Sequence, residues 1–223
     1  MSFFKLLFKI PSYLLSKIFY YDELVFLESN ELPSVDSKQC EVIQYSDAQL
    51  IEGVYMSIGR KGHIDRSIID CRLKHGLDFY VLSINGQLAA STWVLRNVPR
   101  FIDEVAVTIF PDKNFYWIRD VYVINDYRGK NIFSQFIGLI ISKHLSDKGF
   151  KLISDVSRSN TSSMRAHLKL GFKEIMNIRY VILFGVILLR IYKKNASIVE
   201  YKPHQRLFFM GYKFKQFIKN NIA

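Results

Sequence analysis

A strand that runs into a basic turn and then an apolar helix, between residues 115 and 141, constrains the fold of this chain most. Residues 115–124 are apolar, aromatic and β-branched, which is typical of a buried strand. The Asn-Asp pair at 125–126 ends it, and apolar residues then recur at helical spacing. A helix that begins there presents unpaired backbone N–H groups, and Arg128 and Lys130 add two cations beside them. The stretch therefore predicts a phosphate-binding turn.

The order of the other elements predicts an α/β fold with a mixed, mostly antiparallel central sheet flanked by helices. Asn85-Gly86 is a strong hairpin signal between two apolar runs. A second antiparallel pair is expected between residues 105–110 and 115–123. The apolar run at 180–189 is too short to span a membrane, so two short strands joined by a turn are expected there.

Three regions are expected along the 223 residues. Residues 1–37 read as a basic amphipathic N-terminal segment and linker, within which residues 21–28 could be a helical turn or a strand. Residues 38–195 read as the folded domain, and residues 196–223 as a basic, aromatic C-terminal helix.

Positive charge is concentrated at the two ends of the chain. Of the net charge of +11, residues 1–20 carry +3 and residues 196–223 carry +4, and both ends are rich in Phe and Tyr. This combination indicates either helices on an anionic membrane surface or helices that pack on the domain and expose their lysines. No nucleic-acid partner is expected, because no binding motif accompanies the charge.

Two blocks of sequence resemble the GNAT superfamily of N-acyltransferases. The run Tyr127-Arg128-Gly129-Lys130-Asn131-Ile132 is similar to the family's acyl-CoA pyrophosphate loop, although Asn131 and Phe133 stand where the family usually has Gly and Gly or Ala. The second block, residues 160–172, is similar to the family's Asn-x-x-Ser/Ala-x-x-x-Tyr-x-x-x-Gly-Phe pattern. The resemblance covers roughly residues 40–180.

The resemblance implies a GNAT-like domain that binds acetyl-CoA as acyl donor. It implies that backbone groups of Val121, Tyr122 and Val123 contact the pantetheine arm. The phosphates would be held by Arg128, Gly129, Lys130, Asn131, Ile132 and Phe133. Asn160 and Ser163 would contact the cofactor arm, and Asn160 could equally cap its helix. In this fold the helices expected over residues 47–57 and 65–74 lie above the acceptor pocket.

Two residues are candidates for proton transfer. His167 stands where many family members have a Tyr that protonates the leaving thiolate, and it could instead pack with Met164 and Leu170. Asp120 is a candidate base for the attacking amine because a charge in an apolar strand needs a partner or a role. A salt bridge from Asp120 to Arg119 or Arg128 is the alternative, and Asp103 and Glu104 are further candidates for the base.

The resulting hypothesis is an N-acetyltransferase acting on a primary amine of a small acceptor, such as an amino sugar or surface-glycan precursor. A non-catalytic module of the same fold that binds CoA or a membrane surface is the alternative. Cys40 and Cys71 fall outside both blocks, so no acyl-cysteine intermediate and no metal site are expected. A cytoplasmic protein, peripheral on the inner face of the membrane if its ends bind lipid, is the expected location. No feature of the sequence indicates an oligomeric state.

Overall fold

A computed structural model of the chain defines eleven strands and four helices in the residues that it describes. These are residues 19–29, 40–60, 65–102, 105, 107–111, 114–145, 150–183, 186–194 and 199–203. The strands are β1 (Phe19–Ser29), β2 (Cys40–Tyr45), β3 (Leu77–Ile84), β4 (Gln87–Arg96), β5 (Arg100–Ile102), β6 (Val107–Pro111), β7 (Phe115–Val123), β8 (Lys151–Ser157), β9 (Lys173–Leu183), β10 (Val186–Lys194) and β11 (Val199–Pro203). The helices are α1 (Ala48–Ser57), α2 (Arg66–Lys74), α3 (Ile132–His144) and α4 (Thr161–Lys169).

The main sheet has eight strands in the order β10-β9-β1-β8-β7-β4-β3-β2. Among its described pairs, only β7 and β8 run parallel. The buried side chains of α1 and α2 belong to the core on one face, and those of α3 and α4 to the core on the other. The expected fold, a mixed and mostly antiparallel sheet flanked by helices, is therefore confirmed.

Strand β1 corrects the expected boundary at residue 38. It lies inside the main sheet, antiparallel to β8 on one side and to β9 on the other. Leu24 and Phe26 are buried on the α1–α2 face, and Val25 and Leu27 on the α3–α4 face. Because both faces are covered, the strand shows no polar alternation that would have identified it. Residues 1–18 and 30–39 lie outside the described residues.

The acidic residue Glu23 is paired where β1 crosses the sheet. Its carboxylate accepts from the guanidinium groups of Arg158 at 2.7 Å and Arg179 at 2.9 Å. Burial alone would raise the pKa of Glu23, but these hydrogen bonds and charges hold it below its ordinary value. The pairs fix β1 to the segments that flank α4.

A second sheet of three strands, in the order β11-β6-β5, corrects two other expectations. β6 pairs with β5 and β11, and not with β7, whose partners are β4 and β8. Residues 199–203 form β11, so the expected helix over 196–223 is wrong at these positions. The remaining residues of that segment lie outside those described.

Arg100 joins this small sheet to the main one. Its guanidinium forms an ion pair with Asp155 of β8 and lies 5.0 Å from the ring centroid of Trp117 on β7. The indole Nε1 of Trp117 also donates to Asp155, at 2.7 Å. The small sheet is thereby held beside the place where β7 and β8 begin to separate.

Two local expectations are confirmed. Asn85 and Gly86 connect β3 to β4 with φ values of 51° and 78°, the positive values that a tight hairpin turn requires. Strands β9 and β10 pair about residues 184–185 and are longer than expected. Within the residues described here, no helix is long and apolar enough to cross a membrane.

Candidate active site

The main sheet opens between β7 and β8. Their pairing begins at Phe115↔Lys151 and ends at Ile118↔Ser154. Beyond this point β7 stays paired with β4 as far as Val123, while β8 continues alongside β1. The last five residues of β7 therefore present one backbone edge to an opening in the sheet rather than to a strand.

A β-bulge in β7 redirects the backbone at this opening. Ser91 pairs with Tyr122 and Trp93 with Arg119, so that Thr92 alone faces the two residues between them. One of these is Asp120, whose φ of 55° is uncommon for a residue other than glycine. Bulges of this kind bend a strand and re-aim its side chains. The predicted pantetheine-binding residues, Val121 to Val123, follow directly after Asp120.

The turn after β7 brings backbone N–H groups and two cations together. A short 3-10 turn, Asn125–Tyr127, leads to Gly129 and Asn131, with φ values of 75° and 59°, and α3 begins at Ile132. The Asn131 side chain makes no capping hydrogen bond, so it leaves the first N–H groups of α3 without that partner. This N-terminus is suited to binding an anion.

Arg128 and Lys130 are held at this turn. The Nε of Arg128 donates to the carbonyl oxygen of Val123 at 3.0 Å, and its guanidinium lies 5.6 Å from the ring centroid of Tyr122. The Nζ of Lys130 lies 5.8 Å from the ring centroid of Tyr127. Arg128 thus connects the end of β7 to the predicted phosphate loop.

Asn160 caps helix α4. Its side-chain oxygen accepts from the backbone N–H of Ser163 at 3.2 Å and from the hydroxyl of Ser162 at 3.0 Å. Asn160 therefore acts as the helix cap that the sequence suggested as one of two roles. Its side chain is also exposed, so a cofactor arm could still contact it.

His167 is buried in an aromatic setting. Its exposed fraction is 3%, and its ring centroid lies 4.7 Å from that of Phe133 and 5.1 Å from that of Phe172. Its Nδ1 lies 2.8 Å from the carbonyl oxygen of Ser163, which can only accept, so Nδ1 carries the proton. Nε2 is buried and has no hydrogen-bond partner among the described residues.

These contacts oppose the expected role of His167 as a proton donor. Burial lowers the pKa of His167 below its ordinary value, although the bond to Ser163 acts in the other direction. The neutral ring with its proton on Nδ1 offers a lone pair, not a proton, at Nε2. His167 therefore donates through Nδ1 to Ser163, packs against Phe133, and presents only an acceptor at Nε2.

Asp120 is held by two arginines that the sequence analysis did not pair with it. Its carboxylate accepts from Arg60 at 3.1 Å and from Arg72 at 3.0 Å, and the hydroxyl of Tyr55 lies at 3.4 Å. Burial alone would raise the pKa of Asp120, but the charges and hydrogen bonds of the two arginines outweigh it and hold the pKa below its ordinary value. A carboxylate stabilised in this way is a weak base. Arg60 and Arg72 are not among the partners that the sequence suggested, and Asp103 and Glu104 lie outside the described residues.

The arginines come from the α1–α2 face of the sheet. Arg60 follows α1 and Arg72 lies in α2, three residues after the buried Ile69. Residues three apart share a helix face, so Arg72 could have been recognised as facing the core. Nothing in the sequence marks Arg60 in the same way.

Comparison with known proteins identifies the family of the chain. The acetyltransferase (GNAT) family model matches residues 49–172, which is more than half of the chain. The chain belongs to the acetyltransferase (GNAT) family, whose enzymes transfer acyl groups from acyl-CoA to amines. These enzymes bind acetyl-CoA as the acyl donor. No curated protein shows significant similarity to the chain.

Several solved structures resemble the chain more distantly. A GNAT-family acetyltransferase from Colwellia psychrerythraea has 15% identity and a TM-score of 0.47, and the alignment covers 73% of this chain and 55% of that one. The aminoglycoside acetyltransferase AAC(6')-Iy, in complex with a bisubstrate analogue, has 17% identity and a TM-score of 0.42, with 61% and 92% covered. Ribosomal-protein-alanine N-acetyltransferase from Brucella melitensis has 15% identity and a TM-score of 0.41, with 59% and 90% covered. The family assignment rests on the family model.

Proposed function

We propose that this protein transfers an acetyl group from acetyl-CoA to a primary amine of a small acceptor. The observation that supports the proposal best is the opening between β7 and β8, which lies directly before the basic turn and the N-terminus of α3. A donor whose phosphates bind at that turn can lay its pantetheine arm along residues 121–123. This would bring the thioester to the opening, and fixed orientation of reactants alone can supply several kcal/mol.

The reaction would be a direct transfer. The amine nitrogen bonds to the thioester carbonyl carbon, the carbon–sulfur bond breaks with its electron pair passing to sulfur, the nitrogen gives up a proton and the sulfur takes one. Neither Asp120 nor His167 is arranged for these proton transfers. We assign Asp120 a positioning role towards Arg60 and Arg72, and we assign His167 a positioning role towards Phe133 at the start of α3.

A screen of amines with detection of free CoA thiol tests the proposal. Amino sugars, the acceptors considered from the sequence, form one set, and amino acids and polyamines form others. We expect acetyl-CoA-dependent thiol release with at least one primary amine and a mass gain of one acetyl group on that amine. Binding of acetyl-CoA without transfer to any amine would favour the non-catalytic alternative.

We also propose that the ends of the chain bind an anionic membrane surface. The support is their sequence alone, since residues 1–18 and 204–223 lie outside the described part of the structure. Lys213, Lys215 and Lys219 alternate with aromatic residues, and each lysine near an anionic leaflet contributes about 1 kcal/mol.

Vesicle sedimentation tests the membrane proposal. We expect the full chain to sediment with anionic vesicles more than with neutral ones, and less as salt is added, because salt screens exposed charges. Replacing the three lysines by glutamine should reduce sedimentation and leave β11 in place. Equal sedimentation with both kinds of vesicle at low salt would contradict the proposal.

A further inference from the structure

Two arginines and one carboxylate make a partly buried, positively charged site on the α1–α2 face of the sheet. The side chains of Arg60, Arg72 and Asp120 are 10%, 14% and 20% exposed. Among these three residues, two positive charges face one negative charge. An excess charge removed from water is costly unless a partner reduces it.

The arginines keep donors that Asp120 does not use. Each arginine bonds Asp120 through one nitrogen, Nη2 of Arg60 and Nη1 of Arg72. The other terminal nitrogen of Arg60, Nη1, is buried and has no hydrogen-bond partner among the residues that the structure describes. A buried donor left unsatisfied is costly, so it indicates a group that binds there.

Aromatic rings hold both guanidinium groups in place. Arg60 lies 4.8 Å from the ring centroid of Tyr122 and 5.3 Å from that of Tyr55. Arg72 lies 5.1 Å from the ring centroid of Trp93, whose indole nitrogen donates to the Tyr55 hydroxyl at 2.8 Å. Burial and the nearby Asp120 charge raise the pKa of Tyr55 to about 12, so this hydroxyl stays neutral. Such pre-arranged guanidinium groups lose little freedom when they bind a ligand.

The position of the site relates it to the acceptor. Asp120 lies at the bulge of β7, immediately before the residues proposed to carry the pantetheine arm. The start of α3 and helix α4 lie on the opposite face, where the donor would bind. With the donor on that face, an amine would reach the thioester from the α1–α2 face, where Arg60 and Arg72 lie.

We propose that Arg60 and Arg72 bind a carboxylate of the acceptor, so that the preferred substrates are primary amines that also carry a carboxylate. Guanidinium groups match carboxylate oxygens in geometry, and a carboxylate from the ligand, with that of Asp120, would balance the two arginines. This inference rests on the proposed acetyl transfer and specifies its acceptor.

Matched pairs of amines test the inference. Each pair consists of an amino carboxylate and its carboxamide, taken from the L-α-amino acids and from ω-amino acids of increasing chain length. We expect at least one carboxylate to have a KM at least tenfold lower than its amide. If every amide had the same KM as its carboxylate, the inference would be overturned and the proposed acetyl transfer would still stand.

Arg60→Gln provides the second arm of the test. This variant leaves Asp120 with Arg72 as a balanced pair, so the fold should persist, and Arg72→Gln is the equivalent choice if it does not. We expect the KM for the carboxylate to rise at least tenfold, with the KM values for the amide and for acetyl-CoA unchanged. Arg66→Gln is the control, because Arg66 lies on α2 with a side chain that is 45% exposed. A carboxylate KM that is unchanged in Arg60→Gln would overturn the inference.

Calorimetry with CoA present separates this inference from the proposed function. A carboxylate that binds the wild type through Arg60 but is never acetylated would support the site and contradict the proposed transfer. A carboxylate and its amide that bind alike, or do not bind, would overturn the site.

Discussion

Replacing Arg128 by Glu is expected to weaken acetyl-CoA binding by at least tenfold. The change puts a negative charge at the turn proposed to hold the pyrophosphate, so attraction becomes repulsion. It also removes the bond from Arg128 to the Val123 carbonyl at the end of β7. A tenfold change in affinity corresponds to about 1.4 kcal/mol, which two lost favourable contacts and one new repulsion readily supply. Titration calorimetry with acetyl-CoA measures it directly.

Two other variants show whether the effect is local. Arg128→Gln removes the charge without reversing it and should weaken binding less than Arg128→Glu. Lys143→Glu makes the same charge reversal in the last turn of α3, roughly 15 Å from its start, where it should leave affinity nearly unchanged. Equal affinities for acetyl-CoA in Arg128→Glu and the wild type would contradict the assignment of the phosphate loop.

Replacing Asp120 by Asn is expected to lower the free energy of unfolding by about 3 kcal/mol at pH 7. Removing one partner of a buried ion pair leaves the other charge uncompensated, and here two guanidinium groups lose their shared carboxylate. Asn is the suitable substitution because it tolerates the positive φ at this position. Urea denaturation measures the difference, with the exposed Asp70→Asn change as a control that should cost less than about 1 kcal/mol.

The loss of stability in Asp120→Asn is expected to depend on pH. The folded-state pKa of Asp120 is held below the unfolded value of about 3.9, so its stabilisation is complete above that pH and is lost as pH falls through the folded-state pKa. The stability difference between wild type and Asp120→Asn should therefore shrink below about pH 4. Adding Arg60→Gln to Asp120→Asn should recover part of the lost stability. If Asp120→Asn were as stable as the wild type at pH 7, the ion pairs of Asp120 with Arg60 and Arg72 would not stabilise the fold.

The elements predicted well are those whose signals are local in sequence. Asn85-Gly86 determines its hairpin through the backbone of two residues. The strand, turn and helix from β7 to α3 are visible in a run of about thirty residues, and the family motif lies within it. Capping by Asn160 was one of two roles that the sequence suggested, because capping depends on its own side chain and the next three residues.

The errors concern partners far apart in sequence. Neighbouring runs were expected to pair, yet β7 lies beside β4 and β8, and β6 lies beside β5 and β11. Asp120 was a candidate base, with a salt bridge to the nearby Arg119 or Arg128 as the alternative, but the arginines described on it stand 60 and 48 positions away. Strand pairing and ion pairing of this kind depend on how the layers pack. The periodicity of a single segment contains no information about that packing.

His167 shows a different limit. The motif suggested a proton donor at this position, and the ring packs against Phe133 at the start of α3. Its protonation depends on burial and on the Ser163 carbonyl one helical turn away, and both are properties of the folded state.

The central position of β1 has a consequence for how the chain folds. Its partners in β8 and β9 lie about 130 to 160 positions later in sequence, as in the pairs Val25↔Val156 and Phe19↔Leu183. On a ribosome this strand emerges before β8 and β9, and its apolar residues on both faces stay unpaired until these two strands have been made. Contacts between such distant residues slow folding, and an unpaired apolar strand favours aggregation in the meantime. Synthesis of this protein should therefore depend more on chaperones than that of a domain whose first strand pairs with its second.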